Sequence, residues 1–239
     1  MASIETDPKD LENMPPVATS PDKAPTVCVF CGASPGTSPA HLEAARELAR
    51  AFHAHGINLV YGGGTVGVMG ELAKTLVSLS GPQAVHGVIP EALLVYERNG
   101  RENGTSGGPK VLIDENIYGR TTVVKDMHSR KQLMAKQVIE SGHGGGFVAL
   151  SGGYGTMEEL MEVVTWNQLG IHARGVVVFN VEGYYDGLLN WVKTAVKSGF
   201  VSEGNSNIMV EAKTGEGVVE RLKGYTNAEG RFKLDWESR

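Results

Sequence analysis

The chemistry in this chain gathers in two short stretches. One is LSGGYGTMEEL, residues 150–160, reached through the apolar run GGFVAL. Gly152, Gly153 and Gly155 surround Tyr154, and Thr156, Met157, Glu158 and Glu159 follow. Thr156 and Glu159 stand in T-x-x-E register, the spacing of a helix capping box, and a strand turning into a capped helix would account for both. It would not account for three glycines in four positions. Those let a backbone approach a ligand closely and aim free N–H groups at it, and a helix N-terminus so presented favours an anion such as a phosphate. The second stretch is DMHSRK, residues 126–131. Asp126 is an ordinary N-cap. His128, Arg130 and Lys131 then crowd the first turn of the helix, where the dipole disfavours each cation by a few tenths of a kcal/mol, up to about 1. Either the three are solvated, or an anion sits at this turn, from a ligand or a carboxylate, and Arg130 could grip it with a planar fork.

Four carboxylates could lie near that anion: Glu97, Glu158, Glu159 and Glu162. On a helix Glu158, Glu162 and Thr165 share one face, with Glu159 offset by about 100°. A phosphate anchor beside a carboxylate and an arginine suits chemistry at a sugar carbon, because cleaving a glycosidic bond builds an oxocarbenium-like charge that a carboxylate can stabilise. A further glycine stretch, GGGTVG at 62–67, fits G-x-G-x-x-G. It reads either as a turn for close strand–helix packing or as backbone lining a nucleotide pocket. A dinucleotide site would want an acidic residue ending the next strand, and AVHGVIP ends in Ile89 and Pro90, so NAD is disfavoured. The chain has no G-x-S-x-G elbow, no H-E-x-x-H and no G-x-x-x-x-G-K-[ST] loop.

These stretches need a scaffold, and the hydrophobic pattern supplies one. From residue 25 on, short β-branched runs alternate with amphipathic helical segments: TVCVFCGAS, then PAHLEAARELARAFHAHG; INLVYGGG, then VGVMGELAKTLVSLSG; AVHGVIP; a polar loop around RENGTSGGPK; VLIDE as a short strand; DMHSRKQLMAKQVIESG; GGFVALSGG, then TMEELMEVVTWNQLGI; GVVVFN, then YYDGLLNWVKTAVKSG; NIMVEA, then TGEGVVERLKGY. Such alternation predicts an α/β fold, a Rossmann-like doubly wound parallel sheet in a single domain over residues 25–239. Ligands bind such sheets beyond the carboxyl ends of the strands. That directs attention to four turns: GAS, GGGTVG, the turn before DMHSRK, and SGGYGT. Residues 1–24, rich in Pro, Asp and Ser and without a sustained period, read as a disordered tail.

The totals bound the partners. The formal net charge of -5 and the lack of a basic block argue against nucleic acid. No run of 18 apolar residues suggests a membrane span, and the acidic start is unlike a signal or transit peptide. Cys28 and Cys31 form C-x-x-C inside a strand-like run, where residues three apart point to opposite faces. They read as two reduced core thiols of a cytoplasmic protein rather than a redox or metal pair.

Together GGGTVGVMG, DMHSRK and SGGYGTMEELMEVVTWNQLGIH resemble the LOG ("lonely guy") family of cytokinin riboside 5′-monophosphate phosphoribohydrolases, often mislabelled lysine decarboxylases. The likeness runs from about residue 26 to about residue 225 and centres on the signature P-G-G-x-G-T-x-x-E. It implies hydrolysis of an N6-modified adenosine monophosphate to free base and ribose 5-phosphate, without a metal or cofactor. It implies Arg130 and Glu159 as the catalytic pair, with Arg130 keeping Glu159 ionised. Substrate would be bound by Lys131, Gly152, Gly153, Tyr154, Gly155, Thr156, Met157, Glu158 and Thr165, and by Glu97, which aligns more loosely. A homodimer or a larger assembly is implied as well. Three departures stand out: Ser151 replaces the signature proline, which leaves the turn less stiff; the link at 139–146 is long and expected to be a surface loop; and 101–110 reads as an insertion near the pocket mouth. Two alternatives stay open: a general purine nucleotide nucleosidase acting on AMP, and a non-catalytic nucleotide-binding or carrier protein.

Overall fold

The computed structural model of the chain describes residues 23–94 and 113–234. Almost all of the expected tail, together with Glu97 and the 101–110 stretch, lies outside the described residues.

The chain runs β1 (Thr26–Phe30), α1 (Ala40–Ala54), β2 (Asn58–Tyr61), α2 (Gly67–Ser80), β3 (Val85–Pro90), α3 (Glu115–Tyr118), β4 (Arg120–Val124), α4 (Met127–Ile139), β5 (Gly146–Ala149), α5 (Tyr154–Gln168), β6 (Gly175–Phe179), α6 (Asp186–Lys197), β7 (Met209–Ala212) and α7 (Gly215–Lys223). The strands form one seven-stranded sheet in the order β4-β3-β2-β1-β5-β6-β7, every neighbouring pair parallel. This is the expected Rossmann-like architecture. The strand order reverses between β1 and β5, and the crevice beyond their carboxyl ends is where such sheets bind ligands. Among the described residues no helix is long and apolar enough to cross a membrane.

Helices cover both faces, so the inner strands are buried on both sides and read as continuous apolar runs. On one face Ala45, Leu48, Ala49 and Phe52 of α1 pack with Leu72 and Leu76 of α2 over Val27, Val29, Leu59 and Val177. On the other, Met134 and Val138 of α4 and Leu160 and Val163 of α5 cover Cys28, Val60, Phe147 and Val178. Each fully buried Leu or Phe contributes about 1.5–3 kcal/mol. Cys28 and Cys31 fall in opposite clusters, as three-residue spacing in an extended chain requires. Both are free and buried, and burial pushes both thiols well above the usual range.

Two local expectations are corrected. Residues 113–115 of VLIDE are not a strand: Asp114 accepts a hydrogen bond from Asn116 N–H and caps the short α3, and the edge strand is β4, RTTVV. The two runs are near neighbours of similar β-branched character, and only pairing with β3 selects between them. The 139–146 link is not a loose surface loop. Ser141, Gly142, Gly144 and Gly145 are buried. Arg174, 8% exposed, donates to the carbonyls of Ile139 (2.6 Å), Ser141 (2.6 Å) and Gly142 (3.0 Å). A guanidinium at the C-terminus of α4 satisfies carbonyls that the helix itself leaves open.

Replacing Arg174 with Met should therefore strand three buried carbonyls and lower unfolding free energy by about 2–4 kcal/mol. Urea denaturation would show this as a lower midpoint at an unchanged slope.

Candidate active site

The site forms where four turns converge at the carboxyl ends of β2, β1 and β5 and beside β4. Leu150 N–H donates to Phe30 O at 3.0 Å and Gly32 N–H to Ser151 O at 3.0 Å, which stitches the β1 turn to the β5 turn. Met69 N–H donates to Gly32 O at 3.1 Å, which ties in the turn after β2. From β4 the chain enters α4 through Asp126, whose carboxylate accepts from Ser129 N–H at 2.7 Å.

Helix α5 begins three residues earlier than the capping-box register supposes. Its N-cap is Gly153, with no side-chain cap, so Thr156 is the third helical residue rather than the cap. Glu159 does not reach back to the helix start; it is 6% exposed and turned toward α4. The capping-box reading is therefore wrong, because Glu159's burial against Arg130 outcompetes a local cap. The N–H groups of Tyr154, Gly155 and Thr156 belong to the first turn, which a helix cannot satisfy itself. Tyr154 is 97% exposed.

The loop glycines divide by cause. A Cβ on Gly152 would lie 2.1 Å from Thr156 Oγ1 and 2.8 Å from Gly32 N, so packing alone demands glycine there. Nothing lies within 4 Å of a Cβ on Gly153 or Gly155. Packing does not require those two; a ligand approaching the backbone would.

Arg130 and Glu159 face each other, Nη1 to Oε1 at 3.2 Å, with side chains only 9% and 7% exposed. The guanidinium lies directly over Gly62, where a Cβ would stand 1.9 Å from Nη2. Close packing thus explains the first glycine of GGGTVG, and the partner it packs against belongs to the site. No spacing in the sequence signals this contact. Arg130 Nε and Glu159 Oε1 are both buried and make no hydrogen bond among the described residues. Such capacity is rarely left unused in a buried polar site and marks a place a ligand can take up.

Burial raises Glu159 above the usual glutamate range; Arg130 pulls the other way, Glu158 and Glu162 add to the rise, and burial wins. Arg130 tempers the shift, favouring the ionised carboxylate against the pull of burial. Beside this pair Lys131 Nζ bridges Glu158 Oε1 (2.5 Å) and Glu162 Oε1 (3.1 Å). Burial alone would lower the Lys131 pKa, but the two glutamates outweigh it and hold it above the usual value. The cations crowding α4's first turn are thus answered by glutamates of α5, the carboxylate arm of the two possibilities. His128 is exposed.

The structure therefore brings together Arg130, Lys131, Glu158, Glu159 and the 152–156 loop. Met157 is half-buried at the edge of the core beneath them. Thr165 is exposed and donates to Met161 O at 2.8 Å; six positions beyond Glu159, it faces away from the Arg130 pair. Among the described residues no group of three or more His, Cys, Asp or Glu side chains is placed to hold a metal ion.

A family model described as "Possible lysine decarboxylase" matches residues 69–222. A bifunctional cytokinin biosynthesis protein of Fusarium pseudograminearum is 53% identical over 214 residues, covering 90% of this chain. The chain spans only 43% of that protein's length. A cytokinin riboside 5′-monophosphate phosphoribohydrolase of Arabidopsis thaliana is 39% identical over 213 residues, covering 88% of this chain and 89% of that protein. Among solved structures, the Moco carrier protein of Chlamydomonas reinhardtii superposes with a TM-score of 0.55 at 19% identity, covering 84% of this chain and 96% of that one, a likeness of fold alone.

Two outcomes follow from the buried pair. Gly62→Ala should push the Arg130 guanidinium off its seat and lower turnover at least about tenfold, while melting shifts by only a few degrees. Steady-state kinetics and a thermal melt on the same sample would check both. Because Glu159's folded pKa stands above its unfolded one, its contribution to stability is present with the carboxyl protonated and is lost as pH rises through the folded value. Arg130→Met removes the opposing charge and should raise that folded pKa further, which a carbon-13 NMR titration of the Glu159 carboxyl would read directly.

Proposed function

The chain belongs to the LOG family of cytokinin riboside 5′-monophosphate phosphoribohydrolases. From that membership and the site's geometry we propose that it hydrolyses the N-glycosidic bond of N6-modified adenosine 5′-monophosphates, yielding free base and ribose 5-phosphate. The observation that carries the reading is the buried Arg130–Glu159 pair beside an uncapped, glycine-rich helix N-terminus.

In this reading the N–H groups of residues 152–156 and the Thr156 hydroxyl receive the 5′-phosphate, which the α5 dipole also attracts. Glu159 faces the ribose. As the bond from C1′ to the base breaks, the bonding electrons leave with the base and positive charge develops on the sugar, where the Glu159 carboxylate stabilises it. A water adds hydroxide to C1′, and its proton balances the departing base. Glu159 orients that water. Arg130 places the phosphate or the leaving base. Lys131 and Glu158, locked together, shape the adjoining wall with Tyr154 and Met157. Glu97 and Thr165 are kept as binding residues on the family likeness alone. A homodimer and a cytoplasmic setting belong to the same proposal, supported by the family likeness and the two free thiols.

The description of the matching family model names a decarboxylase. Lys131 argues against that chemistry: a lysine that forms a Schiff base needs a lowered pKa, whereas this one is ion-paired and raised.

Incubation with isopentenyl-AMP should release isopentenyladenine and ribose 5-phosphate in equal amounts, and the unphosphorylated riboside should react far more slowly. Equal rates on AMP would point to a general purine nucleotide nucleosidase, and tight nucleotide binding without released ribose 5-phosphate to a carrier. Glu159→Gln and Arg130→Ala should each lower kcat at least about 100-fold. Near-normal turnover in both would remove the catalytic assignment.

A further inference from the structure

Ser151 is where this chain leaves the family signature. Proline at that position would fix φ and stiffen the turn into the phosphate loop; serine does neither. The structure shows what holds the turn instead. Ser151 is 7% exposed, and its Oγ is hydrogen-bonded to His41 Nδ1 at 3.0 Å, the donor being set by the imidazole tautomer. His41 sits in the first turn of α1. Two neighbours seat its ring. Gly36, in the left-handed region at φ 75°, approaches so closely that a Cβ would lie 2.8 Å from His41 Cδ2. Tyr184 meets the ring edge-on, with centroids 5.8 Å apart. The Tyr184 hydroxyl in turn donates to Gly152 O at 2.5 Å.

Tyr184 takes one of the loop's carbonyls, and backbone N–H groups take the other two. Ser151 O accepts from Gly32 N–H, Gly152 O from Tyr184, and Gly153 O from Met157 N–H at 3.1 Å. All three carbonyls leading into α5 are thus turned onto protein donors. An anion cradle requires this, since carbonyl oxygens repel a phosphate and N–H groups attract it.

We propose that His41, Ser151 and Tyr184 form a brace that replaces the signature proline and holds the 152–156 loop with its N–H groups toward the substrate's 5′-phosphate. The proposal rests on the phosphate reading above. None of the three touches the reacting atoms; they are positioning residues, and they act on phosphate recognition rather than on bond breaking.

The test uses Ser151→Ala, His41→Phe and the double variant, with kinetics on isopentenyl-AMP and amide exchange at Gly32 and Met157, whose N–H groups are bonded to loop carbonyls. Each single change should raise KM about three- to tenfold with kcat within about twofold, and speed exchange at both amides about fivefold. The double variant should be no worse than either single, because both delete one bond. Adding Ser151→Pro to His41→Phe should restore KM to within about twofold of wild type. An unchanged KM in both singles, additive losses, a kcat that falls as far as KM rises, or no rescue by proline would overturn the brace. Exchange is read without turnover. If the amides loosen but the wild-type protein hydrolyses no nucleoside monophosphate, the assigned reaction fails and the brace stands. If the wild type hydrolyses and the amides stay protected, the brace fails alone.

Discussion

The site depends on one desolvated ion pair. Arg130 and Glu159 come from different helices and meet at 3.2 Å with almost no access to water. Taking two charges out of water costs several kcal/mol per ion, and their attraction recovers that only when geometry and hydrogen bonding are good. Here the hydrogen bonding is incomplete, since Arg130 Nε and Glu159 Oε1 make no hydrogen bond among the described residues. A fold selected for stability alone would have little reason to keep such a pair. One that binds an anionic sugar beside it would, because the same groups complete their hydrogen bonds on substrate and act in a medium where charge is felt strongly.

Much of the surrounding structure serves to seat that pair. The sheet reverses its order between β1 and β5, and the turns beyond those strands are bonded to one another through Gly32 and Ser151. The turn after β2 brings Gly62 beneath the guanidinium, where any side chain would overlap it. Helix α5 supplies both the carboxylate and the unsatisfied N–H groups, so the phosphate cradle and Glu159 move as one rigid unit. Lys131 with Glu158 and Glu162 ties that helix to α4 a second time, through a pairing that is partly exposed and so contributes modestly to stability.

Glycine does different work at neighbouring positions. Gly152 is dictated by the Thr156 hydroxyl and the backbone of Gly32, a packing constraint that would hold in a protein binding nothing. Gly153 and Gly155 face open space. Gly153 also suits the N-cap position of α5; at Gly155 the cost in backbone entropy has no return in packing, and close approach of a ligand to the backbone is the physical reason left.

By itself the sequence determined the alternating strands and helices, the parallel sheet, the opposite facing of Cys28 and Cys31, the Asp126 cap and the four turns where chemistry gathers. All of these follow from local periodicity, or from single residues acting on their own backbone. Resemblance added Arg130 and Glu159 as a pair, but spacing could not say what they touch. Glu159 could be read as half of a capping box because T-x-x-E is a local pattern; tertiary packing overrode it by burying that side chain against α4. Burial also decided the direction of its pKa, against the neighbouring arginine. The edge strand was misplaced by some residues because VLIDE and RTTVV are alike until β3 chooses between them. The seat of Arg130 over Gly62 and the hold of His41 and Tyr184 on the β5 turn join residues 32 to 110 positions apart. Only the closed sheet brings such residues within reach, so only the tertiary structure could decide them.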